Sequence, residues 1–177
     1  MKHWYTADPH FGHKNILHYC DRPFENTDDM DAALLQNLQD CVMQDDHLWI
    51  IGDFYCGKKN KDAALLNALF NSIPGQKHLI IGNHDHSSVK RLPWASIHAL
   101  FELSDGETKL VLCHYPLLSW NGDHHGSLHL FGHVHDKWQG TNKSINVGVD
   151  LWDYKPTDLE AIKQRAKTLP PLKLWGK

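Results

Sequence analysis

The chain has 177 residues, 41% hydrophobic and 22% charged, which suits a single domain over 1–177 whose core folds without staples. Its formal charge of −3 argues against a dedicated nucleic-acid binder, and no run of about 18 apolar residues reads as a membrane span. The four cysteines are scattered, and the opening MKHWYTADPH has no apolar run or small-residue cleavage site, so reduced thiols in a cytoplasmic protein are expected.

Short apolar runs alternate with helical patterns along the chain, the signature of a layered α/β domain. Residues 3–7 read as a first strand, and 28–43 as a helix with Thr27 or Asp28 as its N-cap. A buried-type strand at 47–51, a helix at 60–71 and a strand at 77–81 follow. Strands are then expected at 98–103, 108–113, 127–131 and 144–149. A closing helix begins at Thr157, with Glu160 three residues on as in a capping box. The Lys58–Lys61 run and the basic positions Lys163, Arg165 and Lys167 read as solvated faces.

Fifteen histidines ask for a reason, because imidazole is the commonest metal ligand. His3, His18, His47, His78, His86, His98, His124 and His129 stand without ligand spacing and read as surface or core residues. Several others follow predicted strands, where open α/β sheets collect their ligands. Asp8-Pro9-His10 places two donors at i and i+2, and Pro9 biases Asp8 toward an extended backbone that aims both at one ion. Gly52-Asp53 supplies a carboxylate whose two oxygens can bridge two cations. Gly82-Asn83-His84-Asp85 offers a neutral oxygen donor, a proton-transfer histidine and an aspartate that either orients that histidine or serves the turn. His114 follows the run KLVLC, and Gly132-His133-Val134-His135 is a second i, i+2 pair.

These five blocks, in this order, resemble the calcineurin-like metallophosphoesterase family, whose signature runs D-x-H, G-D, G-N-H-D/E, H and G-H-x-H. The resemblance covers nearly the whole chain. It is strongest to small, capless bacterial and phage-type members through ADPHFGHKNI (7–16), DRPF (21–24) and NVGVDLWDYKP (146–156). Family members often carry a second acidic or amide residue soon after the bridging aspartate, whereas this chain continues Phe54-Tyr55-Cys56-Gly57.

The resemblance implies a four-layer αββα sandwich of two mixed β-sheets flanked by helices. It implies two divalent ions, one held by Asp8, His10, Asp53 and His135 and the other by Asp53, Asn83, His114 and His133. Nitrogen and oxygen donors without thiolate suit manganese first, with iron, nickel or zinc as alternatives. His84 would be the proton donor and Asp85 would hold its ring. His13 and Asn15 either touch substrate or cap a helix that starts there, and Arg22 either grips a phosphate oxygen or forms a surface ion pair. His125, in His125-Gly126-Ser127, matches family patterns near the cleft. No segment is long enough for a cap domain, so specificity is expected from loops near 13–26, 54–60 and 116–127. The expected partner is a small phosphate ester hydrolysed in the cytoplasm, a phosphodiester of a small nucleotide foremost. A nuclease with the same two-metal site is the alternative, and a scaffold that has lost its chemistry is disfavoured by the unbroken ligand set.

Overall fold

Four strands, β1 (His3–Thr6), β2 (His47–Ile51), β3 (Gln76–Ile80) and β4 (Ser96–His98), lie in that order in one sheet, and every neighbouring pair is parallel. A second sheet has the order β5 (Leu100–Asp105), β6 (Thr108–Cys113), β7 (Leu128–Phe131) and β8 (Ser144–Asn146). In it β5 and β6 form an antiparallel hairpin, and the other pairs are parallel. The expected α/β sandwich of two sheets is present, with the first sheet parallel and the second mixed. The computed structural model describes residues 1–57 and 63–172, so the Lys58–Lys61 run and the first positions of the helix expected at 60–71 lie outside the described residues.

The first sheet is buried on both faces, which is why HLWII reads as a continuous apolar run. Its outer face presents Leu48, Ile50 and Leu79 to α2 (Thr27–Cys41) and α3 (Ala63–Ser72). Met30, Leu34 and Leu38 recur every fourth residue on α2, and Leu66 and Phe70 do so on α3, so each helix buries one stripe. Truncating one of these leucines to alanine removes about 2–5 kcal/mol.

The inner faces of the two sheets meet through Tyr5, Trp49, Ile51 and Ile80 on one side and Leu110, Leu112, Leu130 and Ile145 on the other. Helix α5, counted after the single turns α1 (Ile16–Tyr19) and α4 (Ser87–Lys90), spans Leu159–Ala166 and adds Ile162 and Ala166 to that core. On the outer face of the second sheet, Val111 and His129 are covered by the segment after β6, where Trp120 rests 5.3 Å from the His129 ring.

Two helix starts differ from expectation by a residue. Asn26, not Thr27 or Asp28, caps α2 by accepting from the Asp29 amide at 2.9 Å. Asp158, not Thr157, caps α5 by accepting from the Ala161 amide at 2.8 Å. The strand expected over 98–103 is two strands in different sheets, because the chain changes sheet at Ala99. No helix among the described residues is long and apolar enough to cross a membrane, and all four cysteines are free thiols.

Candidate metal centre

Parallel strands all deliver their following residues to the same edge of a sheet, and here that edge is the carboxyl end. Asp8 and His10 follow β1, Asp53 follows β2, Asn83 follows β3, His114 follows β6, and His133 and His135 follow β7. The backbone at these positions is unusual. Asp8 (φ 55°), His10 (53°), Asp53 (56°), His133 (70°) and His135 (50°) all adopt the left-handed conformation, which costs a non-glycine residue about 1 kcal/mol or more. The extended geometry expected at Asp8 is thus corrected: the bias from Pro9 is overridden by tertiary hydrogen bonds. The amide of Asp8 donates to the Gly52 carbonyl at 3.1 Å, and that of His10 to the Asp53 carbonyl at 3.0 Å. Two motif glycines are explained by close approach. A Cβ at Gly82 would overlap the Asp53 carboxylate, and one at Gly132 would overlap that of Asp8.

The side chains gather into two groups, each with ligand-type atoms mutually within 4.8 Å: Asp8 with His10 and His135, and Asp53 with His114 and His133. Asp53 stands between them. Its Oδ2 lies 3.5 Å from His10 Nε2 and 3.5 Å from His114 Nε2. Asn83 Oδ1 reaches to 3.1 Å from His114 Nε2, which extends the second group. The His84 ring stands edge-on to His10 at 5.4 Å, and its backbone amide donates to Asp53 Oδ1 at 2.8 Å.

Several atoms here are buried without a partner among the described residues: Asp8 Oδ1, His10 Nε2 and His13 Nδ1. An orphaned buried polar atom costs about 1–3 kcal/mol, and a cation would satisfy the first two. Burial pushes the His10 imidazole down to about 2, so its ring is neutral and its lone pair competes with no proton. Burial pushes Asp8 up to about 7 despite His114 and His135, so this carboxylate calls for a positive neighbour. Burial opposes ionisation of Asp53 too, but hydrogen bonds and charge from His114 hold it near 2. At His135 burial opposes the charge, yet the hydrogen bond to Asp150 raises the imidazole to about 10, marking a place that attracts a proton or a cation. Cys56 Sγ lies 3.5 Å from His10 Nδ1, but burial pushes its thiol up to about 12. The donors of the Asp8 and Asp53 groups are nitrogen and oxygen, which fits transition-metal ions, although Cys20 Sγ also lies within reach of His135 and Asp150.

Other residues land differently from expectation. Asp85 does not hold the His84 ring. Its buried carboxylate accepts from the amides of Asp53 (3.0 Å), Gly82 (2.8 Å) and Phe54 (2.9 Å), so it fixes the turn that presents Asp53. Arg22 neither grips substrate nor sits on the surface. It is buried, paired with Asp150 through Nε at 2.7 Å and Nη2 at 3.1 Å, and donates to the carbonyls of Asp8 and Pro9 at 2.8 Å each. A guanidinium already committed to four acceptors has no fork left for phosphate. His125 is exposed on a cleft of about 430 Å³ with Glu102, Ser104, Lys109 and Asn121, none of them a ligand-type neighbour of the metal groups. Asn15 precedes α1 with no side-chain capping bond and is exposed, whereas His13 lies beside the site, 5.3 Å from His10 and 6.3 Å from His84.

Asp150 was missed by residue-type reasoning. Its Oδ2 lies 3.0 Å from His135 Nδ1, the carboxylate–histidine pair that orients a metal-bound ring. The Arg22–Asp150–His135 relay thereby ties DRPF to NVGVDLWDYKP, so the two strings quoted for the resemblance carried the signal.

No family model matches the chain. The uncharacterised protein MJ1445 of Methanocaldococcus jannaschii is 34% identical over 168 residues, spanning 91% of this chain and 89% of that protein, and the chain belongs to its family. A crystal structure of the protein of unknown function AQ665 from Aquifex aeolicus superposes with a TM-score of 0.74 at 24% identity, over 93% of this chain and 98% of that one, and shows the same fold.

Proposed function

We propose that the chain is a two-metal phosphoesterase of the calcineurin-like type that prefers phosphodiesters, small nucleotides foremost. The observation that carries this reading is the Asp53 carboxylate, equidistant at 3.5 Å from a ring nitrogen of each ligand group. One ion would take Asp8, His10, Asp53 and His135, and its neighbour Asp53, Asn83, His114 and His133, with manganese the best match to the donors. A bound pair polarises phosphoryl oxygens and makes hydroxide available near neutral pH.

The protein's own contribution is positional. Asp85 fixes the Asp53 turn, Asp150 fixes the His135 ring, and His84 stands at the rim as the proton donor to the leaving oxygen. Asn83 is exposed and His84 and His133 are half-buried, so the centre opens to solvent. Such openness suits a diester, whose two substituents must extend in different directions.

Elemental analysis of manganese-saturated protein should approach two equivalents per chain, and Asp53→Asn should weaken both sites. The loaded enzyme should hydrolyse bis-p-nitrophenyl phosphate or 2′,3′-cyclic nucleotides with a higher kcat/KM than p-nitrophenyl phosphate. A wild-type stoichiometry of one or zero would sink the two-metal reading. Better turnover of the monoester would overturn the diester preference alone.

A further inference from the structure

The segment after β6 carries an aromatic side chain that neither the core nor the ligand set accounts for. Tyr115 directly follows His114 and is 44% exposed. Its ring stands edge-to-face against His133 at 4.7 Å and His114 at 5.1 Å. Neither contact covers it with a parallel ring, and its hydroxyl has no protein hydrogen-bond partner among the described residues.

An isolated exposed tyrosine is ordinary, but this one is held in place. His129, fully buried beneath the segment, meets the Leu117 amide at 3.1 Å and the Tyr115 carbonyl at 3.2 Å with Nε2, and the Val111 carbonyl at 2.9 Å with Nδ1. Burial pushes its imidazole down, against the carbonyls of Val111 and Tyr115, which favours the neutral ring. Pro116 stiffens the same turn, and the Trp120 ring lies 5.3 Å from that of His129. Conformational entropy is thus already lost at an exposed ring beside two ligand histidines, which is what a stacking surface requires.

Resting on the phosphodiesterase reading, we infer that Tyr115 is the surface on which the nucleobase of a small nucleotide diester stacks. The base lies on the exposed part of the ring while the phosphate of the same nucleotide reaches the His114 and His133 side of the centre. Stacking tolerates any base, so this surface selects nucleotides over simple alkyl diesters without selecting among bases.

The test uses manganese-loaded wild type, Tyr115→Phe, Tyr115→Leu and Tyr115→Ala with two esters that share a leaving group, thymidine 5′-(p-nitrophenyl) phosphate and methyl p-nitrophenyl phosphate. Tyr115→Ala and Tyr115→Leu should raise KM for the thymidine ester about 5–150-fold with kcat nearly unchanged, and leave the methyl ester untouched. Tyr115→Phe should match wild type on both, and Tyr115→Leu decides the matter should the alanine variant not fold. Equal losses on both esters would make Tyr115 a mere support for His133 and overturn the inference, as would an unchanged KM for the thymidine ester. Calorimetric titration with thymidine 5′-monophosphate reads the stack without turnover. If wild type cleaves neither ester, the proposed activity fails, and the calorimetric ratio between wild type and Tyr115→Ala still decides the stack. A ratio near one, or no binding by wild type, overturns it.

Discussion

Toward the amino ends of the first sheet's strands, His3 and His47 lie side by side on the inner face, with His78, mid-strand in β3, packed diagonally against them. His3 stacks on His47 at 4.8 Å, His47 Nδ1 meets His78 Nε2 at 2.9 Å, and His78 Nδ1 meets Ser96 Oγ at 2.8 Å. Trp49 donates its indole N–H to His3 at 3.0 Å and stacks on His78 at 4.1 Å. At the carboxyl ends, His10, His114, His133 and His135 follow the strands, three of them with left-handed backbone, and His10 has a buried nitrogen with no hydrogen-bond partner among the described residues. The first group satisfies itself and leaves its strands regular. The second leaves Asp8 Oδ1 and His10 Nε2 without a hydrogen-bond partner among the described residues, and its backbone is strained. A count of fifteen histidines therefore says little, because backbone strain and an orphaned nitrogen, not residue type, set the candidate ligand group apart from the packed one.

The largest expected effect is at the carboxyl end. His84→Ala should retain its metals yet lose roughly 10²–10⁴-fold in rate on diesters with poor leaving groups, and lose little on p-nitrophenyl esters, whose leaving group departs without a proton. Steady-state kinetics with matched alkyl and nitrophenyl esters decides. Equal losses on both would move His84 from proton donor to phosphate binder.

Asp150→Asn comes next. The near-isosteric amide keeps the space but weakens the grip on the His135 ring, so affinity for one ion should fall about 10–100-fold while the other holds. Competition with a chelator, read as two separate dissociation steps, measures it. If both ions are released together, the relay acts on the whole centre; if neither weakens, Asp150 serves only Arg22.

The smallest effect belongs to the amino end. Burial, then His47 and His3, push the His78 imidazole down to about 4. A folded-state value below the unfolded value near 6.5 leaves stability intact above pH 6.5, and stability falls as pH drops toward 4, because only the unfolded chain takes the proton. Between pH 7 and 5, wild-type Tm should fall by roughly 5 °C more than that of His78→Asn. Parallel Tm curves for the two proteins would show that this cluster does not sense protons.

Much of the ligand set was legible because each donor stands within a few residues of a strand end, and both strand and donor can be read locally. Asp85 left two readings open, ring holder or turn residue, and the folded chain decides for the turn. Its neighbour in sequence, His84, suggested a dyad, while its hydrogen bonds run to amides up to 32 residues away. Arg22 and Asp150 lie 128 residues apart and meet only in the folded chain, so neither position alone disclosed the pair. His129 reads as an ordinary strand residue, and only its three long-range contacts to Val111, Leu117 and the Tyr115 carbonyl show that it steadies Tyr115. The strand at 98–103 failed as a reading because hydrophobic spacing shows that a segment is extended and not which sheet it joins.

Ala99 leaves the two sheets joined in sequence by a single residue. Asp8, His10, Asp53 and Asn83 precede that joint, and His114, His133 and His135 follow it. Each ligand group draws members from both sides, Asp8 and His10 meeting His135, and Asp53 meeting His114 and His133. An ion bound in either group is therefore a rivet through the sandwich as well as a reagent. Whatever free energy it gains on binding the folded chain is added to the docking of one sheet on the other, in proportion to RT ln(1 + [L]/Kd). Metal starvation would then loosen the protein along the seam between its halves and not at random over its surface.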